Sequence, residues 1–379
     1  MVLIIIIEKF KKPIYITRPL LPQINDVLVK IKEIWDSQWL TNMGIQHETF
    51  ENELTKFLEV NNVSLFCNGT LALYLAIQAL ELKGEVITTP FTFPATTHSL
   101  IQNSLKPIYC DINLEDYNIN PDEIESKITS KTSAILPVHV FGNPCNVERI
   151  EKIAKIYNLK VIYDAAHCFG VKYKNVGIGN YGDISMFSFH AAKIFHTLEG
   201  GALTYNNNDL KETLYLLKNF GIKNPEEIIL PGTNAKMNEF QAAIGLLNLK
   251  LIEGEINKRK KNTFIYKEKL RNVKGIKYLD EKRDVKYNYQ YFPILIDELQ
   301  CKLNRDQVHE NLKEYNVFSR KYFYPLCTDY KFSVNVNNKL LPNARKISNQ
   351  ILCLPLYGNL THLMIEKICD IIISIFKIK

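Results

Sequence analysis

The sequence of 379 residues lacks the features of membrane-spanning, secreted or disordered proteins. No stretch is rich in proline, glycine or acidic residues, so we expect the chain to be folded nearly from end to end. Its eight cysteines are scattered, mostly within apolar runs, and form neither a C-x-x-C pair nor a histidine–cysteine ligand spacing. We therefore expect a cytoplasmic protein with reduced, buried thiols and no bound metal.

Two further classes of function find little support in the sequence. The apolar segment Met1–Ile7 is too short to span a membrane and has no basic leader or cleavage site, so it favours an extra edge strand or a start-site artefact. The net charge of +7 is spread over many lysines, and the dense basic cluster Lys258–Lys261 continues a helical pattern. We expect this cluster to be a solvated helix face, with no nucleic-acid partner.

What the sequence does contain is a regular alternation of strand and helix. Between about Asn62 and Tyr205, β-rich apolar runs alternate with helical patterns, which predicts an α/β fold with a mostly parallel sheet and helices on both faces. Ligands of such sheets bind at the carboxyl ends of the strands. The predicted strands are Val63–Phe66, Glu85–Thr89, Pro107–Cys110, Ala134–Val140, Lys160–Tyr163, Asp183–Ser188 and Ala202–Tyr205.

The pattern changes after Pro231. A helical period covers Asn238–Leu251 and runs into a long charged helix that ends near Lys269. The remainder mixes short strands with helices, which is typical of a smaller α+β lobe. We therefore predict a large domain over residues 1–255, including helices near its start, and a smaller C-terminal domain over residues 256–379.

Two polar side chains follow neighbouring apolar strands. Asp164 ends the run Val161–Asp164, a position where an isolated aspartate is often only a helix cap or turn former. Lys193 lies in the loop between the next two strands, where burying an unpaired ammonium group would be costly. A Schiff base with an aldehyde cofactor would use the neutral amine, and a carboxylate would keep a pyridine nitrogen protonated. The pair therefore indicates pyridoxal 5′-phosphate (PLP).

PLP also needs a phosphate site and a platform for its ring. The run Ser64–Leu73 predicts a strand, a tight Asn-Gly-Thr turn and a helix start, although a simple capped helix would use the same turn. The backbone N–H groups of Gly69 and Thr70, with the hydroxyls of Thr70 and Ser188, would suit a phosphate. Phe93 follows another buried strand and would stack on the ring, with core packing as the alternative.

Together these motifs resemble the DegT/StrS-type nucleotide-sugar aminotransferases. The resemblance implies the fold type I architecture of PLP enzymes and a homodimer with active sites at the subunit boundary. It covers most of the chain, in the motifs Thr41–Gly44, Asn68–Thr70, Pro90–Thr96, Asp164–His167, Ser188–Lys193, Glu199–Gly201, Pro231–Ala243 and Leu354–Tyr357.

The resemblance also implies roles for individual residues. Lys193 would carry PLP as a Schiff base, Asp164 would bind its ring nitrogen, and His167 would lie near its phenolic oxygen. Phe93 stands where some relatives carry tryptophan or tyrosine. Gly69, Thr70 and Ser188 of one subunit would bind the phosphate, together with Asn234 of the neighbouring subunit. Lys236 is close enough in sequence to be the alternative to Asn234 in this role.

Four further stretches concern the substrate. They resemble the family members that move the amino group of L-glutamate to carbon 4 of a dTDP-linked 4-keto-6-deoxyglucose, used in surface polysaccharides such as O-antigen. Arg320 and Tyr324 are candidates for contacts with the pyrophosphate or the sugar. The four stretches are Lys12–Pro19, Trp39–Asn42, His139–Cys145 and Phe189–Phe195.

Three alternatives remain open at this point. A 3-keto sugar, or one linked to GDP or UDP, would leave the cofactor motifs unchanged. A sugar 3-dehydratase of the same superfamily would carry histidine in place of Lys193. A non-catalytic regulatory or sugar-binding protein on the same fold would lack Lys193 or Asp164, and both are present.

Overall fold

A computed structural model describes residues 7–333 and 340–377, so the predicted edge strand at Met1–Ile7 lies outside the described residues except for Ile7. The strands are β1 Asn62–Phe66, β2 Glu85–Thr88, β3 Lys106–Tyr109, β4 Thr132–Leu136, β5 Lys160–Asp164, β6 Lys172–Tyr173, β7 Val176–Gly177, β8 Ile184–Ser188, β9 Gly201–Tyr205, β10 Ile222–Asn224, β11 Glu227–Ile228, β12 Ile276–Tyr278, β13 Val285–Lys286, β14 Phe292–Ile296 and β15 Ile351–Leu354.

The helices alternate with these strands. They are α1 Ile24–Ser37, α2 Ile45–Leu58, α3 Gly69–Ala79, α4 Pro94–Gln102, α5 Pro121–Ile124, α6 Val147–Tyr157, α7 Asp209–Lys218, α8 Glu239–Leu249, α9 Ile252–Leu270, α10 Glu298–Cys301, α11 Arg305–Glu314, α12 Pro342–Gln350 and α13 His362–Lys377. Within residues 7–333 and 340–377, no helix is both long and apolar enough to cross a membrane.

One seven-stranded sheet organises the first half of the chain, in the order β1-β9-β8-β5-β4-β2-β3. The pairs from β8 to β3 are parallel, whereas β9 is antiparallel to both β8 and β1. All strands except β9 therefore run in the same direction, and their carboxyl ends share one edge. The predicted strand Ala134–Val140 is shorter in the structure, because Pro137 follows Leu136 and has no N–H group for the ladder.

Helices cover both faces of this sheet. In β5, Ile162 packs on the side of α3, whereas Val161 and Tyr163 pack on the side of α6, as the alternation of side chains along a strand requires. The sequence pattern predicts a helix over Val147–Tyr157, and α6 has these bounds. The side chain of Asn146 caps its start by accepting a hydrogen bond from the backbone N–H of Arg149.

The second half forms a smaller lobe around the antiparallel sheet β12-β14-β15. Phe10 and Ile14 join its core, and the backbone N–H of Phe10 donates to the carbonyl of Tyr315 at 3.1 Å. The N-terminal segment therefore packs against residues that lie about 300 positions later in the chain. The predicted boundary between residues 255 and 256 falls within α9, and the division into two domains stays a prediction.

Candidate active site

A cavity of about 590 Å³ opens at the carboxyl edge of the large sheet. The loops after β1, β2, β5 and β8 supply its walls, and the segment after α11 closes one side. Among the candidate site residues named from the sequence, Asn234, its competitor Lys236, and Tyr324 lie outside its lining. The lining brings together the predicted residues Gly69, Thr70, Phe93, Asp164, His167, Ser188, Lys193 and Arg320.

Asp164 ends β5 and is only 5% exposed. Its Oδ2 accepts a hydrogen bond from the Thr96 hydroxyl at 2.8 Å, and its Oδ1 accepts one from the backbone N–H of Ala166 at 3.1 Å. Burial raises the pKa of this carboxyl group, while the Thr96 and Ala166 hydrogen bonds and the Lys193 charge oppose the rise. A buried carboxylate needs a cationic partner, and a protonated pyridine nitrogen fits that need.

Thr96 was not assigned a role from the sequence. Its hydroxyl lies at the start of α4 and is 2.8 Å from the hydroxyl of Thr92. Thr96 therefore contacts the Asp164 carboxylate directly, and Thr92 contacts Thr96. Their spacing of four residues, together with a proline that can begin a helix at Pro94, is the signal that could have identified them.

Lys193 lies half-buried in the loop between β8 and β9. Burial lowers the pKa of its amine to about 8; the Arg320 charge adds to this effect and the Asp164 charge opposes it. The loop is held in place by a hydrogen bond from the backbone N–H of Ile194 to Gln290 Oε1 at 2.7 Å. Lys193 is thus a fixed amine with a substantial neutral fraction near neutral pH, as covalent attachment of an aldehyde requires.

The turn after β1 forms a concave surface beside this lysine. Asn68 caps α3 through its side chain, which accepts a hydrogen bond from a backbone N–H at 2.8 Å. A Cβ at Gly69 would lie 3.0 Å from the Cβ of Ser188, and a Cβ at Gly201 would lie 2.6 Å from the backbone nitrogen of Gly69. The two glycines therefore allow the turn to approach β8 and β9. The N-terminus of α3 and the hydroxyls of Thr70 and Ser188 together fit a phosphate. We call this group the phosphate cradle.

His167 is a neutral hydrogen-bond donor at the opposite wall. Its Nδ1 accepts a hydrogen bond from the backbone N–H of Phe141 at 3.2 Å, and burial lowers the pKa of the imidazole well below its usual value. A neutral ring with an accepting Nδ1 carries its proton on Nε2. The ring lies parallel to that of Phe323 at 5.9 Å between centroids, which fixes its plane. His167 can thus donate to an oxygen such as the phenolic oxygen of PLP.

Phe93 presents its ring to the cavity. It directly precedes α4, which begins with Pro94, and 49% of its side chain is exposed. This exposure excludes core packing, the alternative considered from the sequence. The predicted role as a platform for the pyridine ring stays a prediction.

Asn234 and Lys236 lie on a different surface. The Lys236 ammonium donates to Asn234 Oδ1 at 2.9 Å and lies 4.9 Å from the centroid of the Phe220 ring. Asn234 is exposed and does not line the cavity of its own chain. The predicted contact with a neighbouring subunit's phosphate therefore stays a prediction for either residue.

Tyr324 also lies away from the cavity. The backbone N–H of Tyr324 donates to the carbonyl of Lys321 at 2.9 Å, and this turn directs its ring towards the guanidinium of Arg305, 4.6 Å away. Tyr322, which the sequence reasoning did not single out, lines the cavity instead. The turn could not be recognised from sequence, because residues 321–324 include none of the glycine, proline, asparagine or aspartate residues that mark turns.

A lysine with a lowered pKa, a buried acid and a helix N-terminus that fits a phosphate meet at the edge of a mostly parallel sheet, which is the arrangement of a PLP-dependent aminotransferase of fold type I. Comparison with known proteins gives the family. The chain belongs to the DegT/DnrJ/EryC1/StrS aminotransferase family, whose sequence profile matches residues 23–373.

Individual relatives agree with this assignment. The chain is 43% identical to the dTDP-4-amino-4,6-dideoxy-D-glucose transaminase of Shigella dysenteriae over 363 residues, which cover 96% of this chain and 99% of that protein. The structure of DesI in the presence of its TDP-sugar product has a TM-score of 0.93 and 33% identity, covering 97% of this chain and 93% of the other.

A second solved structure is that of Helicobacter pylori PseC, an aminotransferase involved in the biosynthesis of pseudoaminic acid. It has a TM-score of 0.90 and 26% identity, covering 97% of this chain and 100% of the other. The predicted family, fold class, cofactor and sugar-aminotransferase activity are thereby confirmed.

Proposed function

We propose that this protein moves the amino group of L-glutamate to the keto carbon 4 of dTDP-4-dehydro-6-deoxy-D-glucose, giving dTDP-4-amino-4,6-dideoxy-D-glucose for surface polysaccharide. The observation that carries the proposal is the 43% identity, along almost the full length of both chains, to a transaminase of that name. The structure of DesI in the presence of its TDP-sugar product adds support through its similar fold.

Bound PLP would accept the electrons released when a carbon–hydrogen bond is broken. Asp164 would hold the proton of the ring nitrogen, and Thr96 would keep the Asp164 carboxylate in place. The Lys193 amine would take the proton from the α-carbon of glutamate and later deliver a proton to carbon 4 of the sugar. Both proton transfers suit an amine with a pKa near 8, because its two forms are both populated at working pH.

A homodimer and a cytoplasmic location belong to the same proposal. α1 exposes Ile24, Leu28 and Trp35 along one side, with 67%, 55% and 68% of each side chain accessible. Such a stripe is typical of a helix that packs against a partner. In the dimer, Asn234 would bind the phosphate in the neighbouring subunit. The eight cysteines are all unpaired, which suits a reducing compartment.

A panel of nucleotide sugars tests the substrate. Purified protein is incubated with glutamate and with dTDP-, GDP- and UDP-linked 4-keto-6-deoxy sugars or a dTDP-linked 3-keto-6-deoxy sugar, and products are identified by mass spectrometry. We expect amination of the dTDP sugar, with an NMR spectrum that places the new nitrogen on carbon 4. Preference for a GDP or UDP sugar, or nitrogen on carbon 3 of a 3-keto substrate, would contradict the proposal. Lys193→Ala protein serves as the inactive control.

A further inference from the structure

Two buried amide side chains, those of Asn288 and Gln290, lie behind the wall of the cavity and do not line it. They belong to the segment between β13 and β14, and the two residues are 0% and 1% exposed. A buried amide is stable only when its oxygen and its N–H groups have hydrogen-bond partners, because it has lost its bonds to water. The partners of these two amides are backbone groups of the loops that carry Lys193 and His167.

Gln290 contacts the chain on both sides of Lys193. Its Oε1 accepts a hydrogen bond from the backbone N–H of Ile194 at 2.7 Å, and its Nε2 donates to the carbonyl of Ala192 at 3.4 Å. The peptide groups that flank the lysine therefore cannot rotate without breaking a bond to one buried side chain. Gln290 thus fixes the point from which the lysine side chain enters the cavity.

Asn288 holds the loop of His167 in the same way. Its Nδ2 donates to the carbonyl of His167 at 2.8 Å and to the carbonyl of Phe169 at 3.0 Å. Its Oδ1 accepts a hydrogen bond from the backbone N–H of Gln290 at 3.1 Å. The two amides are therefore linked to each other, and the loops after β5 and β8 share one support.

A buried ion pair anchors this support. Arg259 of α9 is fully buried, and its Nε donates to Glu255 Oε1 at 2.7 Å. Its Nη1 donates to the backbone carbonyl of Gln290 at 3.2 Å, and Glu255 Oε1 also accepts a hydrogen bond from the backbone N–H of Gly358 at 2.8 Å. Separating a buried ion pair is costly, so the segment that carries the two amides has a fixed position beside α9.

We propose that Asn288 and Gln290 form an amide clamp that sets the separation between Lys193 and His167. Bound PLP would be attached to Lys193 and would contact His167 at the same time, so this separation decides whether both contacts form. Asn288 and Gln290 are positioning residues, since neither lines the cavity. The amide clamp rests on the proposed function only in requiring that Lys193 carries PLP.

Attachment of PLP to cofactor-free protein, followed by absorbance, tests the amide clamp. Gln290→Met keeps the length of the side chain and removes the two hydrogen bonds that flank Lys193. We expect the limiting rate of attachment at high pH to fall about 10-fold or more. The midpoint of the pH profile should move to higher pH, because burial holds the pKa of Lys193 at about 8 and a released side chain reaches water. The charges of Asp164 and Arg320, which also act on Lys193, are unchanged in this variant.

Asn262→Leu is the matched control for the clamp. Asn262 is also a buried amide whose Nδ2 donates to two backbone carbonyls, those of Tyr357 and Leu360, at 3.1 and 2.9 Å. It does not line the cavity. Asn288→Leu removes the corresponding two bonds from the clamp. Both leucine variants should unfold at lower urea concentration, whereas only Asn288→Leu should also slow the attachment of PLP.

An unchanged rate and midpoint in Gln290→Met, or an equal loss of rate in Asn262→Leu, overturns the amide clamp. If Gln290→Met does not fold, as judged by thermal unfolding, Gln290→Asn decides in its place, because its amide is one methylene too short to reach both partners. Borohydride reduction and peptide mass spectrometry first locate PLP in the wild-type protein. PLP on another lysine contradicts the proposed role of Lys193 and the clamp with it, whereas PLP on Lys193 with unaltered kinetics in the variants contradicts the clamp alone.

Discussion

Single residues of the cavity set the charge of the reacting groups. Burial and the Arg320 charge lower the pKa of Lys193 to about 8, against an ordinary value of 10.5, while Asp164 opposes them. The side chain is therefore neutral over a pH range in which a solvated lysine is protonated. The burial that makes a charged lysine costly here is thus also what prepares it for reaction.

The first prediction concerns the pH dependence of cofactor attachment. Because the neutral amine is the reactive form, the rate at which cofactor-free protein binds PLP should rise as pH increases through about 8 and level off above it. Stopped-flow absorbance over pH 6–10 measures this profile. Arg320→Gln removes a neighbouring positive charge, which raises the Lys193 pKa, so the midpoint should move to higher pH. A midpoint that stays fixed would show that the two charges do not interact.

The second prediction concerns Thr96. Thr96→Val keeps the shape of the side chain and removes the hydroxyl that donates to Asp164 at 2.8 Å. A hydrogen bond to a charged group contributes about 1.5–3 kcal/mol, so we expect PLP affinity to fall by roughly 10-fold or more. Equilibrium titration of cofactor-free protein with PLP measures the change.

Ser99→Ala is the control for that substitution, because the buried Ser99 hydroxyl in the same helix has no hydrogen-bond partner among the described residues. Equal losses of PLP affinity in the two variants would mean that the hydroxyl acts through helix packing and not through Asp164.

At the scale of elements, the cavity depends on how closely the turn after β1 approaches β8 and β9. A Cβ at Gly201 would lie 2.6 Å from a backbone nitrogen and 2.7 Å from the carbonyl carbon of Asn68, and backbone atoms cannot rotate away. The strand must therefore shift to accept any side chain. The same approach forms the phosphate cradle, so stability and cofactor binding should change together.

Gly201→Ala should accordingly lower the free energy of unfolding by about 1–3 kcal/mol, as overpacked sites do, and weaken PLP binding. Urea unfolding of the cofactor-free protein gives the first quantity. Gly254→Ala is the matched control, since nothing lies within 4 Å of a Cβ at that position in α9. There we expect a gain of about 0.5–1 kcal/mol, because alanine is favoured over glycine within a helix. If Gly201→Ala changes neither the free energy of unfolding nor PLP binding, the turn after β1 does not approach β9 this closely.

Elements with strong local signals were predictable from the sequence. α6 carries apolar residues at helical spacing behind an asparagine cap, and the strands of the large sheet are short apolar runs between turn residues. Contacts distant in sequence were not predictable. Phe10 stands between two lysines and Ile14 follows Pro13, and the segment is too short to show by periodicity that they join the core of the smaller lobe. The position of Tyr324 was not predictable either, because a turn directs its side chain away from the cavity.

At the scale of the whole molecule, one surface carries a cluster of exposed apolar side chains. α1 exposes large apolar side chains at Ile24, Leu28 and Trp35, and Trp39 after its end is also 55% exposed. Burial of this surface against a second copy would remove a patch that water disfavours. α1 also contacts α8, whose N-cap Asn238 follows the exposed Asn234 by four residues in sequence.

Leu28→Glu should therefore dissociate the proposed homodimer and reduce turnover with it. Sedimentation velocity gives the mass, and the sugar assay gives the turnover. Ile156→Glu is the control, because Ile156 is similarly exposed (59%) on α6, on another element of the large lobe. A Leu28→Glu protein that remains dimeric and active would remove α1 from the interface.

The single reversed strand of the sheet also constrains the order of folding. β1 lies at the sheet edge, and within that sheet its one neighbour is β9, so nothing pairs with β1 until the chain has extended to Tyr205. The turn that cradles the phosphate follows β1, and the loop that carries Lys193 leads into β9. Insertion of β9 therefore brings both halves of the site together in one late, long-range step. PLP binding should therefore require the completed sheet, and added PLP should raise the yield of folded protein.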